Sequence, residues 1–314
     1  MKGTYTYQAE DYEATIKDLS LVNMNVITHK VLETGLLKMT HGFPKGEDID
    51  ANVIDEHREV EISIKEYQTL CGIKDTKEAR KQLSEGTKDL YEIAELNWTE
   101  ERYEIPKGKK RKTKVATKWK ARILDTIGDG TEQNPVQNGK VTMKFSFDVA
   151  KYFSKTGYIM PYNMNLLKIN GKLNPHSYYM GRKLLDHHNQ NIAKENANRI
   201  SVKTLIAACP DLPSYEEVMK KGKHATQQII DPFDRDMLAL KCNKYSILSD
   251  WHYCNSKGEP LTAEQVTKYD YHTWIEWLIE FQLADYPDQS NRIAKIEKRK
   301  TIAASRKKQT KQVK

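Results

Sequence analysis

An internal repeat is the feature of this sequence that most restricts its fold. The segment EISIKEYQTLC at Glu61–Cys71 recurs as RISVKTLIAAC at Arg199–Cys209, 138 residues further along the chain. Each copy is a short β-like run that ends at a serine, Ser63 or Ser201, whose hydroxyl can cap a following helix. Glu66 stands three residues after Ser63 and completes the pattern of a capping box. The repeat therefore predicts two related structural units within one chain of 314 residues.

Helical patterns flank both copies. Asn23–Met39 precedes the first copy and Asn174–Asn191 precedes the second, and both carry apolar residues at three- and four-residue spacing. After the first copy, a helix is predicted over Glu78–Leu96, with Thr76 as its cap and an interruption at Gly86. Each copy should therefore lie between two helices.

The helix after the second copy is the longest one predicted. It covers Tyr215–Lys241, and Ser214 with Glu217 forms a second capping box at its start. Pro232 must kink this helix or divide it in two, because proline lacks a backbone N–H and clashes with the preceding turn.

Each unit closes with strand signals. Val141–Phe147 alternates apolar and polar residues, which is the period of a half-buried strand, and Lys120–Ile127 is its expected partner. In the second half, Lys244–Cys254 and Thr273–Leu283 should form the matching ribbon, with strand preferred to helix in the latter segment. The order helix, strand, helix, helix and two-stranded ribbon therefore occurs twice, and it is the order of a winged helix.

The chain resembles the plasmid replication initiators of the Rep3 type, which are tandem winged-helix proteins. The order and spacing of six stretches carry the resemblance: EISIKEYQTLCGI, KEARKQLSEGTKDLYE, KVTMKFSFDVAKYF, SYYMGRKLLDHHNQN, RISVKTLIAAC and HATQQIIDPFDRDMLAL. The expected fold class is α+β, with two tandem winged-helix domains and a basic, flexible C-terminal tail. The expected boundaries are 1–20 for an N-terminal arm, 21–155 and 156–288 for the two domains, and 289–314 for the tail.

The resemblance also implies a function. It implies a sequence-specific double-stranded DNA-binding protein that initiates replication of a plasmid or similar mobile element. Such a protein would bind direct repeats at the origin, and both recognition helices would read successive major grooves of one repeat. It would repress its own promoter as a dimer and recruit the host replicative helicase or its loader. No enzymatic activity and no cofactor are expected.

Two segments carry the positive charge of the chain, whose formal net charge is +8. Residues 291–314 hold ten Lys or Arg against one acidic residue, and residues 107–123 hold nine with no acidic residue. Concentrated positive charge is typical of surfaces that bind nucleic acid. The internal segment leads into a strand pattern and is expected to contact DNA, whereas a merely solvated end remains an alternative for the tail.

Candidate DNA-binding residues are polar or basic and fall at the third helix of each unit and at the first wing. The set in the first unit is Lys74, Thr76, Lys77, Arg80 and Lys81. The set in the second unit is Lys220, Lys221, Lys223, His224, Gln227 and Gln228. The wing set, which is expected to follow the DNA backbone, is Lys109, Lys110, Arg111, Lys112 and Lys114. The alternative for each set is an ordinary solvated surface.

Readings as a nicking enzyme find little support in the sequence. Nicking initiators use a tyrosine nucleophile and a metal ion held by a His-hydrophobe-His motif, which is missing here. Tyr178 and Tyr179 resemble paired nucleophiles, but Tyr178 falls on an apolar stripe, which favours core packing. His187 and His188 are adjacent, so on a helix they point about 100° apart and do not share a metal ion easily.

Metal binding is not expected either. The acidic residues of the long helix are read as capping or solvated residues: Asp231, Asp234 and Asp236. The remaining candidate ligands lack the close paired spacing of zinc sites: Cys242, His252 and Cys254. No Walker-type phosphate-binding run occurs, so the sequence does not support ATP-driven unwinding.

Two other classes of protein remain open as alternatives. A tandem winged-helix transcriptional regulator would bind inverted repeats, and a rolling-circle initiator would nick DNA and form a phosphotyrosine. The sequence has no run of about 18 apolar residues, which predicts a chain without membrane spans. Its four cysteines are scattered without a CxxC pair, which is typical of a reducing cytoplasm, and the resemblance implies a bacterial one.

Overall fold

Two compact units divide the chain, Met1–Tyr158 and Ile159–Lys314. The computed structural model describes residues 5–9, 12–22, 24–44, 50–104, 113–128, 134–155, 163–241, 245–267 and 269–284. Several residues predicted to matter lie outside these ranges: the basic tail, Lys109, Lys110, Arg111, Lys112 and Cys242. Within the described ranges, no helix is long and apolar enough to cross a membrane.

The first unit contains two antiparallel sheets and a set of helices. Its helices are α1 (Val26–Gly42), α2 (Ala51–His57), α3 (Ile64–Cys71), α4 (Thr76–Glu92) and α5 (Phe147–Lys155). Its strands are β1 (Tyr5–Ala9), β2 (Tyr12–Val22), β3 (Glu59–Ser63), β4 (Glu95–Glu104), β5 (Thr113–Arg122), β6 (Leu124–Gly128) and β7 (Lys140–Phe145). One sheet has the order β3-β7-β6 and the other the order β1-β2-β4-β5.

Local hydrogen bonds explain where α3 and α4 begin and end. Ser63 accepts a hydrogen bond from the Glu66 N–H at 3.1 Å, and Gly72 ends α3 in the left-handed conformation. The expected cap of α4 at Thr76 is wrong, because Thr76 already lies inside the helix. Asp75 has extended backbone geometry, and its carboxylate accepts a hydrogen bond from the Lys77 N–H at 2.8 Å.

The first expected capping box forms only in half. The Glu66 carboxylate lies 2.9 Å from Lys38 Nζ and pairs with that ammonium group. It therefore joins α3 to α1. The Ser63 hydroxyl forms its part of the capping box because it needs only a backbone N–H nearby in sequence. The Glu66 carboxylate instead binds Lys38, which is 28 residues away along the chain.

Gly86 does not interrupt α4, which runs continuously from Thr76 to Glu92. A methyl group at Gly86 would lie 2.5 Å from Val31 Cγ2, so the glycine lets α4 approach α1 closely. The core between the helices and the sheet β3-β7-β6 is built from apolar side chains with almost no exposure: Leu32, Ile62, Tyr67, Leu83, Leu90 and Phe145.

The second sheet of the first unit differs from the expected organisation. Residues assigned to an N-terminal arm form the hairpin β1–β2, and β2 pairs with β4. The expected strand Lys120–Ile127 is divided at Ile123, whose side chain is buried and whose carbonyl accepts a hydrogen bond from Ser146. Its first part ends β5 and its second part is β6. The described part of the basic stretch therefore lies mainly on β5, which pairs with β4, while the ribbon of the winged helix is β6–β7.

The second unit repeats the plan of the first. Its helical elements are a 3-10 helix (Met164–Lys168), α6 (Ser177–Asn191), α7 (Val202–Ile206), α8 (Tyr215–Lys220), a π-helical turn (Thr226–Ile230), α9 (Asp231–Lys241) and α10 (Tyr271–Trp274). Its strands are β8 (Arg199–Ser201), β9 (Leu248–Cys254) and β10 (Leu278–Leu283). They form a sheet in the order β8-β10-β9, so the last strand lies in the middle, as in β3-β7-β6.

The repeated segments occupy equivalent positions in the two units. Ile62 on β3 and Ile200 on β8 are both buried. Cys71 is buried at the end of α3, and Cys209 is buried three residues after the end of α7. Ser201 accepts a hydrogen bond from the Thr204 N–H, as Ser63 does from Glu66. The structure thus confirms the predicted repeat.

The long helix predicted over Tyr215–Lys241 is broken at a different residue. Gly222 adopts φ 62° after α8, and a new helix then begins. Pro232 lies inside that second helix, directly after the π-helical turn, in which the Asp231 N–H donates to Thr226. The wider turn fits the proline because Pro232 has no N–H to donate to the next carbonyl. The predicted Ser214 and Glu217 capping box is confirmed.

The final ribbon is shorter than expected. Of the predicted strand Thr273–Leu283, only β10 is extended, and the first two residues end α10. Asp270 caps α10 through the Thr273 N–H at 2.7 Å, and Trp274 is fully buried. Burial of the indole between the ribbon and α9 outweighs the local alternation of apolar and polar residues.

Candidate DNA-binding surfaces

The third helix of the winged-helix motif in the first unit is α4, which has one buried and one exposed side. Ala79, Leu83 and Leu90 face the core, and the helix packs against α1. All five predicted residues of this unit are exposed: Lys74, Thr76, Lys77, Arg80 and Lys81. The structure therefore brings this set together at the start of α4 and in the turn before it.

Hydrogen bonds determine how much freedom these side chains keep. Gln68 Nε2 donates to the Lys74 carbonyl at 3.2 Å and to Thr76 Oγ1 at 3.3 Å, which fastens the turn between α3 and α4. Arg80 Nη1 donates to the Val136 carbonyl at 3.3 Å, so part of this guanidinium holds the segment before the ribbon. Thr76 and Arg80 thus have structural contacts besides their exposure.

The predicted residues of the second unit lie on two elements joined by a tight turn. Lys220 ends α8, and Lys221 and Lys223 flank Gly222 in the turn. His224 precedes the helix that the π-helical turn and α9 form together. Near its start, the Gln228 N–H donates a hydrogen bond to the His224 carbonyl at 3.2 Å.

The two glutamines of this set lie in the first turn of the second helix. The Gln227 side chain is exposed, and Gln228 is half-buried. Gln227 therefore has the freer carboxamide for contact with a base edge.

Two further exposed side chains on α9 were missed in the sequence analysis. Arg235 and Leu238 follow Gln227 at helical spacing, and their side chains are about half exposed, 53% for Arg235 and 50% for Leu238. The signal that could have found them is the exposed stripe opposite the buried Phe233, Met237 and Leu240.

Asp236 anchors this helix to the start of α6. It is fully buried and accepts a hydrogen bond from the His176 N–H at 2.7 Å, while its own carbonyl accepts one from the Ser177 hydroxyl. Arg235 Nε lies 2.8 Å from its other carboxylate oxygen. The helix therefore has a fixed position within its unit, independent of its exposed side.

The acidic residues of this helix do not converge on a common point. Asp231 is exposed, whereas Asp234 accepts a hydrogen bond from Tyr253, whose hydroxyl also accepts one from Trp274 Nε1 at 3.0 Å. Burial raises the pKa of Asp234, and the Tyr253 hydroxyl opposes that rise. Because Asp236 serves as the anchor described above, these carboxylates do not form a two-metal site.

The tyrosines considered as nucleophiles are inaccessible. Tyr178 has no exposed surface and Tyr179 is 8% exposed. Burial raises the pKa of Tyr179 to about 12, which opposes formation of a phenolate. His187 and His188 bind different partners, the Asn196 carbonyl at 3.1 Å and the Asn198 side chain at 2.6 Å.

The wing set is only partly described. Lys114 lies on β5, where it pairs with Tyr103 of β4, next to the pair of Thr113 and Glu104. The other four members lie outside the described residues. Among the described residues, one group of three side chains could hold a metal ion: His252, Cys254 and Glu280.

Two repeated winged-helix units, each with an exposed polar start to its third helix, define a tandem winged-helix DNA-binding protein. A family model described as "Initiator Replication protein, WH1" matches residues 18–176, which is half of the chain. The chain therefore belongs to this family of DNA-binding initiators of replication. No curated protein matches the chain.

Solved structures that are similar to this chain include domains of RctB and the Pi initiator protein. A selenomethionine derivative of domains 2 and 3 of RctB has a TM-score of 0.46 and 10% identity, over 90% of this chain and 91% of that chain. The Pi initiator protein in complex with iteron DNA has a TM-score of 0.45 and 13% identity, over 84% of this chain and 96% of that chain.

Proposed function

We propose that this protein binds short direct repeats in double-stranded DNA at a replication origin. The third helix of each winged-helix unit would enter one of two successive major grooves. The observation that carries the proposal is the repeated unit itself. Both copies place a short helix before an exposed helix start, and both follow that helix with a ribbon. Two linked units that each read a few base pairs suit a repeated site longer than one groove.

The two helix starts suit different tasks. Lys74, Lys77 and Lys81 give the first unit exposed ammonium groups, which suit phosphates and guanine edges. In the second unit, Gln227 presents an exposed carboxamide that can bond bidentately to adenine. The lysines around Gly222 would then hold the neighbouring phosphates. We therefore assign base reading chiefly to the second unit.

The finer parts of the proposal rest on family membership. They are repression of the protein's own promoter by a dimer and recruitment of the host replicative helicase or its loader. The wing set and the basic tail would add sequence-independent contacts with the DNA backbone. The protein would act without nicking DNA, which agrees with the burial of Tyr178 and Tyr179.

A DNase footprint on a supercoiled plasmid that carries the gene and its flanks tests this function. The reactions are run with and without Mg²⁺, and the same samples are examined for DNA topology. We expect protection of evenly spaced direct repeats without nicking. Protection of an inverted repeat alone would indicate a transcriptional regulator. A metal-dependent nick with protein attached to one DNA end would overturn the proposal.

A pair of variants tests whether both units read one repeat. Lys77→Glu with Lys81→Glu changes only the first unit, and Lys223→Glu changes only the second. Each should shorten the protected part of every repeat from one side, because the other unit keeps its contacts. Lys172→Glu, at an exposed lysine that belongs to neither of these helices, is the control. Loss of the entire footprint in parallel in both variants would contradict separate reading by two units.

A further inference from the structure

The sheet of the second unit carries three metal-ligand side chains on one face. His252 and Cys254 are two residues apart on β9 and therefore share a face, and Glu280 on β10 lies directly opposite His252. The imidazole, thiol and carboxylate ligand atoms all lie within 4.8 Å of one another. The core lies on the other face, where Ile279 and Phe281 are buried.

We propose that His252, Cys254 and Glu280 bind a zinc ion, with a fourth position open to water. Thiolate, imidazole and carboxylate are the three side-chain ligands of zinc in proteins, and the thiolate disfavours magnesium and calcium. Zinc bonds of about 2.0–2.3 Å in a tetrahedron place ligand atoms about 3.5 Å apart. The three side chains therefore need to converge by only about 1 Å, which small rotations supply.

Arg199 on β8 supports the carboxylate of this site. Its Nε and Nη2 lie 3.1 and 2.5 Å from the same Glu280 oxygen, Oε2. Within the described residues, the other oxygen, Oε1, receives no hydrogen bond. A hydrogen bond of this kind orients a ligating carboxylate and leaves its second oxygen for the metal ion.

Burial and exposure at the site leave a path for the ion. Cys254 is buried, Glu280 is half-buried and His252 is exposed. Gly258, at φ 84°, brings the turn after β9 against the Arg199 guanidinium, where a side chain would collide. The cluster is therefore covered on the side of Arg199 and open on the side of His252.

The bound ion would connect all three strands of this sheet. Cys254 and His252 hold β9, Glu280 holds β10, and Arg199 extends the connection to β8. Zinc would thus stiffen this three-stranded sheet without using any proposed DNA-contacting residue. This inference does not depend on the proposed function, because metal binding is measured without DNA.

Titration of the full-length protein with Co²⁺, a spectroscopic substitute for zinc, tests the site. We expect a thiolate-to-cobalt charge-transfer band in the near ultraviolet and intense visible bands of a tetrahedral ion, both removed by added Zn²⁺. His252→Ala, Cys254→Ser and Glu280→Gln should each weaken binding more than about 100-fold, the upper end of the losses from second-shell changes. His272→Ala, at an exposed histidine on α10, should bind Co²⁺ as the wild type does.

Absence of the charge-transfer band from the wild-type protein would overturn the site. Equal affinity in the wild type, His252→Ala and Glu280→Gln would also overturn it, since neither side chain would then be a ligand. Circular dichroism shows whether Cys254→Ser is folded. If it is not, the exposed His252 variant decides, and zinc should raise the Tm of the wild type but not of that variant.

Discussion

At the scale of single residues, the helix over residues 226–241, which is the third helix of the winged-helix motif in the second unit, has exposed side chains and separate buried side chains that hold it in place. Gln227 and Arg235 face solvent, whereas Asp236 is fully buried against the first residues of α6. A buried carboxylate that accepts a backbone N–H holds an element in place, because leaving that donor without a partner costs about 1–3 kcal/mol. Gln227 can therefore vary without moving the helix, whereas Arg235 also pairs with the buried Asp236.

Replacing Gln227 and Gln228 together by Ala should reduce discrimination between sites. Each lost bidentate pair with adenine removes about 1–3 kcal/mol of preference for the correct base. Competition binding with the specific repeat and with random DNA measures the change. Gln282→Ala, an exposed glutamine on β10, is the matched control. Equal losses on specific and random DNA would show that these glutamines do not read bases.

The pH dependence of stability should reflect His176. This side chain is buried, its Nδ1 has no hydrogen-bond partner within the described residues, and burial lowers its pKa. The unfolded chain has the ordinary histidine pKa of about 6.5, so it binds more protons than the folded chain as the pH falls below that value. The free energy of unfolding should therefore decrease from about pH 7 to about pH 5.

Urea denaturation across this pH range measures the effect. His176→Asn should flatten the decrease in part, because burial also lowers the pKa of His187, which contributes with the same sign. His272→Asn, at an exposed histidine, is the control. A decrease of the same size in His176→Asn and the wild type would exclude His176 as its source.

At the scale of elements, close helix packing overrides local helix preference. Glycine costs about 1 kcal/mol relative to alanine inside a helix, and this cost suggested a break at Gly86. In the structure α4 is continuous at Gly86, because the glycine lets α4 pack closely on α1. Val31 of α1 occupies the space that a side chain at Gly86 would need. Gly222 is a different case: an added side chain would have open space, and the positive φ of 62° ends the helix.

Gly86→Ala should destabilise the protein, although alanine is the better helix former. Overpacking against Val31 costs about 1–3 kcal/mol. The higher helix propensity of alanine offsets only about 1 kcal/mol of this cost. Thermal or urea unfolding measures the difference. In a Val31→Ala background the substitution should cost less, because the clash is relieved. Stabilisation by Gly86→Ala in the wild-type background would contradict the close approach of the two helices.

At the scale of the whole molecule, the uneven charge predicts two kinds of DNA contact. The chain has 51 Lys or Arg and 43 Asp or Glu, and much of the excess lies in two short segments. A short basic segment releases counterions from DNA without reading bases. The third helices should therefore set specificity, and the basic segments should set affinity and its dependence on salt.

Deleting residues 291–314 should weaken binding to specific and random DNA to a similar degree. Each lost phosphate contact should reduce the slope of log K against log salt by about 0.9. Binding isotherms at several salt concentrations measure the slope. A full-length variant with all ten Lys and Arg residues of the tail changed to glutamine should have the same salt slope as the deletion, because phosphate contacts require the charge. An unchanged slope would indicate a tail that stays in solvent.

Much of the winged-helix order was predictable from the sequence because its signals are local. Ser63, Ser201 and Ser214 cap helices through amides a few residues away, and the alternation in residues 141–145 reflects one buried face of β7. The repeat at Ile62 and Ile200 preserved these signals in both units. Order, caps and the faces of the helices were therefore determined by the sequence itself.

Tertiary structure alone decided which distant segments meet. The pairing of β2 with β4, the fit of Gly86 against Val31 and the cluster of His252 with Glu280 all join residues well separated along the chain. Strand register and helix approach result from packing over a whole unit, and no short pattern encodes them. The spacing of His252 and Cys254 therefore gave no sign of a metal site until β10 placed Glu280 beside them.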